Sequence, residues 1–267
     1  MMAIRVCVAG ATGWTGSAVT GAILASSDFQ LVGAIARRHV GVDIGEALEQ
    51  GRADVDIVAS LQEALTVPTD VLIDYTAPEV VKEHILAALD QGVRVVVGTS
   101  GLTASDYTEI EQRAKARKLG VIAAGNFSIT AALAKHFALI AAHYLPSWEI
   151  IDYAGAAKID APSGTTRELA EELATISQNH LEVALEQTHG AKEARGATIE
   201  GTQVHSIRLP SYVIAFETIF GLPDERLSIR HDAGSGAQPY VSGTLLAARK
   251  VLEVRGLVRG LDRLLFQ

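Results

Sequence analysis

An α/β fold follows from three observations on the 267-residue chain. Short apolar, β-branched runs alternate with helix-patterned stretches through the first half, and the runs are apolar on both faces, as in a parallel sheet covered by helices on either side. The first run breaks at once into Gly10-Ala11-Thr12-Gly13-Trp14-Thr15-Gly16, the turn of a dinucleotide-binding strand–helix unit. Late in the chain, three strand-like runs follow one another with no helix between them, as antiparallel strands do. The prediction is a Rossmann doubly wound parallel sheet plus a second α+β domain with a mainly antiparallel sheet. Residues 1–126 and 236–267 make the dinucleotide-binding domain, and residues 127–235 a substrate-binding and oligomerisation domain.

Each element is justified in turn. Val6-Cys7-Val8-Ala9 is a strand, and the Ala/Val/Ile pattern of Ala18, Val19, Ala22, Ile23 and Leu24 is a helix. Between them Gly10 takes a turn geometry closed to other residues, Gly13 lets the backbone approach a pyrophosphate, and Gly16 lets the helix pack close on the strand. The first-turn N–H groups then face phosphates, with Thr12, Trp14 and Thr15 beside them. Residues 29–36 form a second strand. Where an acidic residue would hold an adenosine ribose hydroxyl stands Ala36, followed by Arg37 and Arg38, so NADPH is expected over NADH, with NADH possible. Strands at 55–58 and 71–76, a helix at 80–89, a strand at 93–101, a helix at 105–119 and a strand at 121–128 complete the alternation. Ligands of such sheets sit outside the C-terminal strand ends. That puts Tyr75, Thr76, Gly98, Thr99, Asn126 and Phe127 beside the cofactor.

The pattern then changes. Residues 129–144 read as a long apolar helix and 148–154 as a strand. Residues 163–176 read as a helix in which Thr165 and Glu168 are spaced as a capping box. Residues 187–203 are polar and glycine-containing, hence a mobile loop. Strands follow at 204–209, 212–220 and 226–231, where Leu227, Ile229 and His231 alternate with Ser228, Arg230 and Asp232 so that one face is buried and the other wet. Residues 241–254 form a helix that returns to the first domain.

Composition narrows the function. Apolar residues make up 48% and charged residues 20%, with no run of about 18 apolar residues that could span a membrane. A net charge of −8 leaves no basic stripe for nucleic acid. Cys7 is the sole cysteine, so an internal disulfide and a cysteine-based zinc site are excluded and no metal is expected; within the strand it reads as a packed small hydrophobe. Met1-Met2-Ala3-Ile4-Arg5 leads straight into the first strand without a secretory pattern, which with the lone cysteine points to the cytoplasm. His84, His136, His143, His180 and His189 read as surface or packing residues.

Lys158-Ile159-Asp160-Ala161-Pro162-Ser163-Gly164-Thr165 is the most specific stretch. Pro162 and Gly164 set a turn before a helix, so the amides and hydroxyls of Ser163, Gly164 and Thr165 converge at the positive end of the helix dipole, where a carboxylate fits. Lys158 is near enough in sequence to pair with the same anion or to deliver a proton. By itself the octapeptide also reads as an ordinary N-cap with a surface lysine.

With the glycine turn, Asp74-Tyr75-Thr76, Gly98-Thr99-Ser100-Gly101, Asn126-Phe127-Ser128, residues 205–210 and Arg230-His231-Asp232, the chain resembles the dihydrodipicolinate reductase family over essentially its whole length. The resemblance implies hydride transfer from NAD(P)H to a cyclic imine dicarboxylate of the lysine and diaminopimelate pathway, and a homotetramer built by the middle domain. It implies Lys158 as the catalytic lysine, Ser163, Gly164 and Thr165 as holders of a substrate carboxylate, and Ser100 at a substrate-contacting position. The chain departs from the family where a histidine-rich stretch precedes the lysine: it has Ala154, Gly155, Ala156 and Ala157. The late loop 233–238 lacks the usual arginine. These losses favour a paralogue that reduces the C=N or conjugated C=C bond of another small carboxylate-bearing substrate. The alternatives are the authentic lysine-pathway reductase and a non-catalytic NADPH-binding protein.

Overall fold

The apolar runs of the first half become strands because their side chains are enclosed on both faces: in β1 (Ile4–Ala9), the four residues from Val6 to Ala9 are all at 0% exposure. In chain order there follow α1 (Trp14–Leu24), β2 (Phe29–Ile35), α2 (Ile44–Ala47), β3 (Ile57–Val58), α3 (Leu61–Ala64), β4 (Val71–Asp74), α4 (Pro78–Asp90), β5 (Arg94–Val97), α5 (Ala104–Arg117), β6 (Gly120–Ala123), α6 (Ile129–Ala142), β7 (Ser147–Ala154), α7 (Gly164–Ile176), β8 (Ala197–Ile199), β9 (Thr202–Arg208), β10 (Ile214–Leu222), β11 (Glu225–Ala233), α8 (Gln238–Lys250), β12 (Gly256–Arg259) and α9 (Leu261–Leu265). The computed structural model describes residues 3–266; Met1 and Met2, expected to run into the first strand, and Gln267, placed above in the first domain, lie outside the described residues. Among the described residues no helix is long and apolar enough to cross a membrane.

The chain divides into two units. One takes the residues up to Ile129 and those from Ala237 onward; the other is Thr130–Gly236. The first holds a seven-stranded sheet in the order β12-β6-β5-β4-β1-β2-β3, with every neighbouring pair parallel. From β1 the chain winds outward to β2 and β3, then crosses back to β4 on the other side of β1. The strand order therefore reverses between β1 and β4, which opens a crevice at their C-terminal ends. Leu72, Val95, Val97 and Val121 pack one sheet face against Ile85, Leu89 and Ile110 of the covering helices. Burial pushes the Cys7 thiol up to about 12, so it is an inert packing group. Helix α8 returns to this unit and lies along α1. Strand β12 and α9 were not foreseen. Leu257 and Val258 pair with Val121 and Ile122, and a run with two apolar residues between charged neighbours carries no periodicity of its own.

The second unit holds a five-stranded sheet in the order β11-β10-β7-β9-β8, antiparallel except for β7 beside β9. Trp148, Ile150, Val204, Phe216 and Phe220 cover one face with Leu169 and Leu173 of α7 and the alanines Ala131, Ala134 and Ala138 of α6. Three expectations are corrected here. The capping box at the start of α7 is absent: Ser163 is the N-cap and makes no side-chain cap bond, while Glu168 instead accepts from the buried Lys135 ammonium at 3.0 Å. The expected loop at 187–203 contains a hairpin, because Glu200 and Gly201 both have positive φ (45° and 81°), the two-residue turn that suits strand twist and joins β8 to β9. Along β11, His231 is buried but Leu227 is 44% exposed, since β11 is the edge strand of the sheet.

One close approach in the first unit is testable. A Cβ at Gly243, inside α8, would lie 2.0 Å from the Phe127 carbonyl oxygen. Gly243→Ala should therefore lower the urea unfolding midpoint by the equivalent of about 2 kcal/mol, despite alanine's better helix propensity. Gly221→Ala, with nothing within 4 Å of the new methyl, should leave it unchanged.

Candidate active site

One candidate site is built by the glycine turn at the C-terminal end of β1. Gly10 has φ +81°, and a Cβ there would meet the Tyr75 carbonyl oxygen at 2.2 Å; a Cβ on Gly16 would meet the Gly10 oxygen at 2.0 Å. The helix start is therefore pressed against the turn backbone, an approach that only missing side chains allow. Helix α1 has Gly13 as N-cap with no side-chain cap and no acidic residue in its first turn. Its first intrahelical bond is Ser17 N–H to Gly13 O at 2.8 Å, so the N–H groups of Trp14, Thr15 and Gly16 precede the ladder. Thr12 is half-buried at the turn. Uncapped donors at a positive helix end, with backbone exposed by glycine, fit the pyrophosphate of a dinucleotide. Trp14 is 60% exposed and stands edge-on to Tyr240 of α8, ring centroids 5.7 Å apart. Arg37 and Arg38, just past β2, are exposed and form no ion pair among the described residues.

Beside the glycine turn the ends of β4 and β5 are joined by one buried carboxylate. Asp74, at 0% exposure, accepts on Oδ1 from Thr76 N–H (3.0 Å), Thr76 Oγ1 (2.6 Å) and Thr99 Oγ1 (2.7 Å), and contacts His84 Nδ1 with Oδ2 at 2.8 Å. Thr99 Oγ1 also accepts from Thr76 N–H at 2.7 Å, and Gly98 N–H donates to the Asp74 carbonyl at 2.9 Å. The structure thus brings Thr76, Gly98 and Thr99 together and turns both hydroxyls inward. His84, expected to be a surface or packing residue, is the carboxylate's fourth partner. Tyr75 and Phe127 also differ from expectation. The Tyr75 phenol is buried against Thr244 Oγ1 at 2.6 Å, with its pKa raised by burial, and its ring meets that of Phe127, which is 1% exposed. Both side chains are core; the large apolar rings gain more from burial than from facing a polar ligand. Asn126 uses its Oδ1 to accept from Ser128 N–H at 2.8 Å. Ser100 is exposed beyond β5.

In the second unit the turn that opens α7 rests on another buried carboxylate. Asp152, at 0% exposure on β7, accepts from Ser163 N–H (2.9 Å), Ser163 Oγ (2.6 Å), Thr166 Oγ1 (3.0 Å) and Arg208 Nη2 (2.7 Å). Burial works to raise its pKa, but the Ser163 and Arg208 bonds outweigh it and hold the carboxyl below its ordinary value. Arg208 also donates to the Asp160 carbonyl at 2.7 Å, tying the 158–163 turn to the end of β9. The expected convergence is corrected for Ser163: its N–H and hydroxyl both point down to Asp152, so it supports the turn from beneath. What the turn presents is the exposed Gly164 and the half-buried Thr165, ahead of the first α7 bond from Arg167 N–H to Ser163 O at 3.0 Å. Lys158 Nζ lies 2.7 Å from Asp160 Oδ1, and that hydrogen bond lowers the Asp160 pKa. Ala154 is buried, and the exposed Ala156 and Ala157 bring no titratable group. His205 is held by Glu149, Nε2 to Oε2 2.7 Å.

Sequence reasoning missed Asp74, His84, Asp152 and Arg208. The signal for the aspartates was a carboxylate inside a largely apolar strand, a place where burial demands donors.

Two family models match the chain in succession: "Dihydrodipicolinate reductase, N-terminus" over residues 4–127 and "Dihydrodipicolinate reductase, C-terminus" over residues 126–265. The 4-hydroxy-tetrahydrodipicolinate reductase of Moorella thermoacetica is 41% identical over 98% of both chains. That of Desulfitobacterium hafniense is 38% identical over 99% of this chain and 100% of its own. Among solved structures, a dipicolinate-bound dihydrodipicolinate reductase from Paenisporosarcina sp. TG-14 superposes with a TM-score of 0.86 at 32% identity, covering 98% of this chain and 99% of the other. An amine dehydrogenase from Mycobacterium smegmatis shares the fold, with a TM-score of 0.69 at 18% identity over 97% and 95% of the two chains. Matched end to end by both halves of the family, the chain belongs to the dihydrodipicolinate reductases and is an NAD(P)H-dependent oxidoreductase.

Proposed function

We propose that the chain is an authentic 4-hydroxy-tetrahydrodipicolinate reductase, acting with NADPH on the cyclic dicarboxylate of the lysine and diaminopimelate pathway. The observation that carries this reading is the full-length likeness to reductases of that name, on a chain that keeps Lys158 beside an open helix N-terminus. The likeness thus favours the authentic enzyme over the paralogue expected from the sequence.

The residues divide the work. The N–H groups opening α1 hold the pyrophosphate, and the unpaired Arg37 and Arg38 hold the 2′-phosphate. When bound, the reduced nicotinamide supplies a hydride for the electron-poor carbon of the substrate. Gly164 and Thr165 receive one substrate carboxylate at the α7 dipole end, and Ser100 contacts the substrate from its own loop. Lys158 exchanges Asp160 for the incoming anion and protonates the product, directly or through water. The working state is a homotetramer in the cytoplasm; the assembly is supported by the partly exposed Ile151, Ile207 and Ile219 on the sheet face opposite α6 and α7.

One observation favours a second reading, an altered substrate. Residues 154–157 and the loop 233–238 offer no imidazole or guanidinium to a second carboxylate. An NADPH-oxidation assay run side by side on 4-hydroxy-tetrahydrodipicolinate and a panel of simple cyclic imines separates the two. Turnover on the first supports the authentic enzyme; turnover on the imines alone supports the second reading.

Lys158→Ala should reduce turnover by about 10²–10⁴-fold, the usual worth of a general acid, with NADPH affinity intact; unchanged turnover removes Lys158 from the mechanism. Arg37→Ala should weaken NADPH binding while leaving NADH binding unaltered, as measured by nicotinamide fluorescence. Equal losses for both cofactors would contradict a 2′-phosphate contact.

A further inference from the structure

We infer that His84 is a positioning residue for the dinucleotide site, acting through Asp74 on the loops that follow β1, β4 and β5. The inference rests on the dinucleotide reading of the glycine turn. Residues 74–76 grip all three loops. The Tyr75 carbonyl abuts Gly10, where a Cβ would sit 2.2 Å away; the Asp74 carbonyl takes the Gly98 N–H at 2.9 Å; the Asp74 carboxylate takes the Thr76 and Thr99 hydroxyls.

The two oxygens of that carboxylate are unequally supplied. Oδ1 receives three donors from the loops, whereas the partner found at Oδ2 is His84 Nδ1 at 2.8 Å. An ionised carboxylate can only accept, so Nδ1 carries the proton and donates. His84 stands apart from the loops it influences: it projects from the middle of α4 (Pro78–Asp90), with its side chain 19% exposed. It fixes the rotation of the carboxylate about its Cβ–Cγ bond. Without it, Oδ2 is a buried oxygen lacking a donor, and the carboxylate turns toward Thr76 or Thr99 to compensate, releasing one loop from the other. Rigid threonine hydroxyls, both spent on Asp74, leave the backbone of residues 76 and 98–100 in one arrangement. A preorganised backbone costs less to order when a ligand binds.

The test measures NADPH and NADH dissociation constants by nicotinamide fluorescence for the wild type, His84→Ala and His84→Asn, with thermal unfolding alongside. The Asn amide places an N–H donor where Nδ1 stands. Loss of a hydrogen bond to a charged group predicts about a tenfold rise in both constants for His84→Ala, substantial recovery for His84→Asn, and a rise in the cofactor KM that exceeds the fall in kcat. Thr99→Val combined with His84→Ala should be non-additive, because both act through one carboxylate. Should His84→Ala fail to fold, His84→Asn against Thr99→Val, compared at the same readout, carries the test: near wild-type affinity in the first and a weakened affinity in the second support the role. Unchanged dissociation constants in His84→Ala, or a loss that Asn does not restore and that merely follows a lowered Tm, overturn it. If the wild type binds neither NADPH nor NADH, the dinucleotide reading itself falls and the inference with it.

Discussion

A carboxylate taken wholly out of water has to be surrounded by donors, and this protein meets that demand at Asp74 in one unit and Asp152 in the other. Asp74 and Asp152 are both at 0% exposure and both lie on strands that lead into functional loops. Neither is free to be solvated, so the chain around each folds inward until its N–H and O–H groups reach the oxygens. The loops at the end of β4 and β5, and the turn before α7, take their shape from that requirement. Asp152 carries the larger electrostatic demand because its partner Arg208 is charged as well. Removing either member would leave the other buried and unpaired, which is costlier than the pair's net worth.

This constraint sets which atoms of the site face outward. Ser163, Thr76 and Thr99 are hydroxyl residues at positions where a sequence reader expects ligand contacts. Their hydroxyls are spent on the two aspartates. What these three segments leave facing outward is mainly backbone: the N–H groups at the start of α1, the loop after β5, and Gly164 with Thr165 at the start of α7. Backbone donors at helix starts suit anions of several shapes, because they supply charge-complementary direction without a side-chain rotamer to adjust. The family relationship and this backbone-dominated chemistry agree, since both a pyrophosphate and a carboxylate are recognised by such donors.

Lys158 is the titratable side chain of the 154–158 turn, and its tie to Asp160 keeps it oriented over the same segment that Arg208 anchors from below. Around it the alanines and glycine at 154–157 make the turn small and apolar. A lysine ammonium is a point charge on a flexible stem, able to move between Asp160 and an incoming anion in a way that a fixed imidazole could not. The departure at 154–157 therefore takes imidazoles out of this turn, while the glycine turn and strand ends of the first unit are unaffected by it.

Sequence alone determined the glycine turn, the strand–helix alternation and the turn after Pro162 that opens a helix. Those features depend on local geometry: φ freedom at Gly10, apolar periodicity in the strands, and a turn that must open a helix. The same reading expected contacts from Tyr75, Phe127 and Ser163, took His84 for an ordinary surface or packing residue, and missed β12 altogether. Each of those was decided by neighbours distant in the chain. Thr244 captures the Tyr75 hydroxyl from α8, Asp152 captures Ser163 from β7, and β6 supplies the hydrogen-bond ladder that makes Leu257 and Val258 a strand. Hydrogen-bond satisfaction in a buried environment is a property of the assembled interior, so side-chain direction at these positions was fixed only when the tertiary structure brought the partners together.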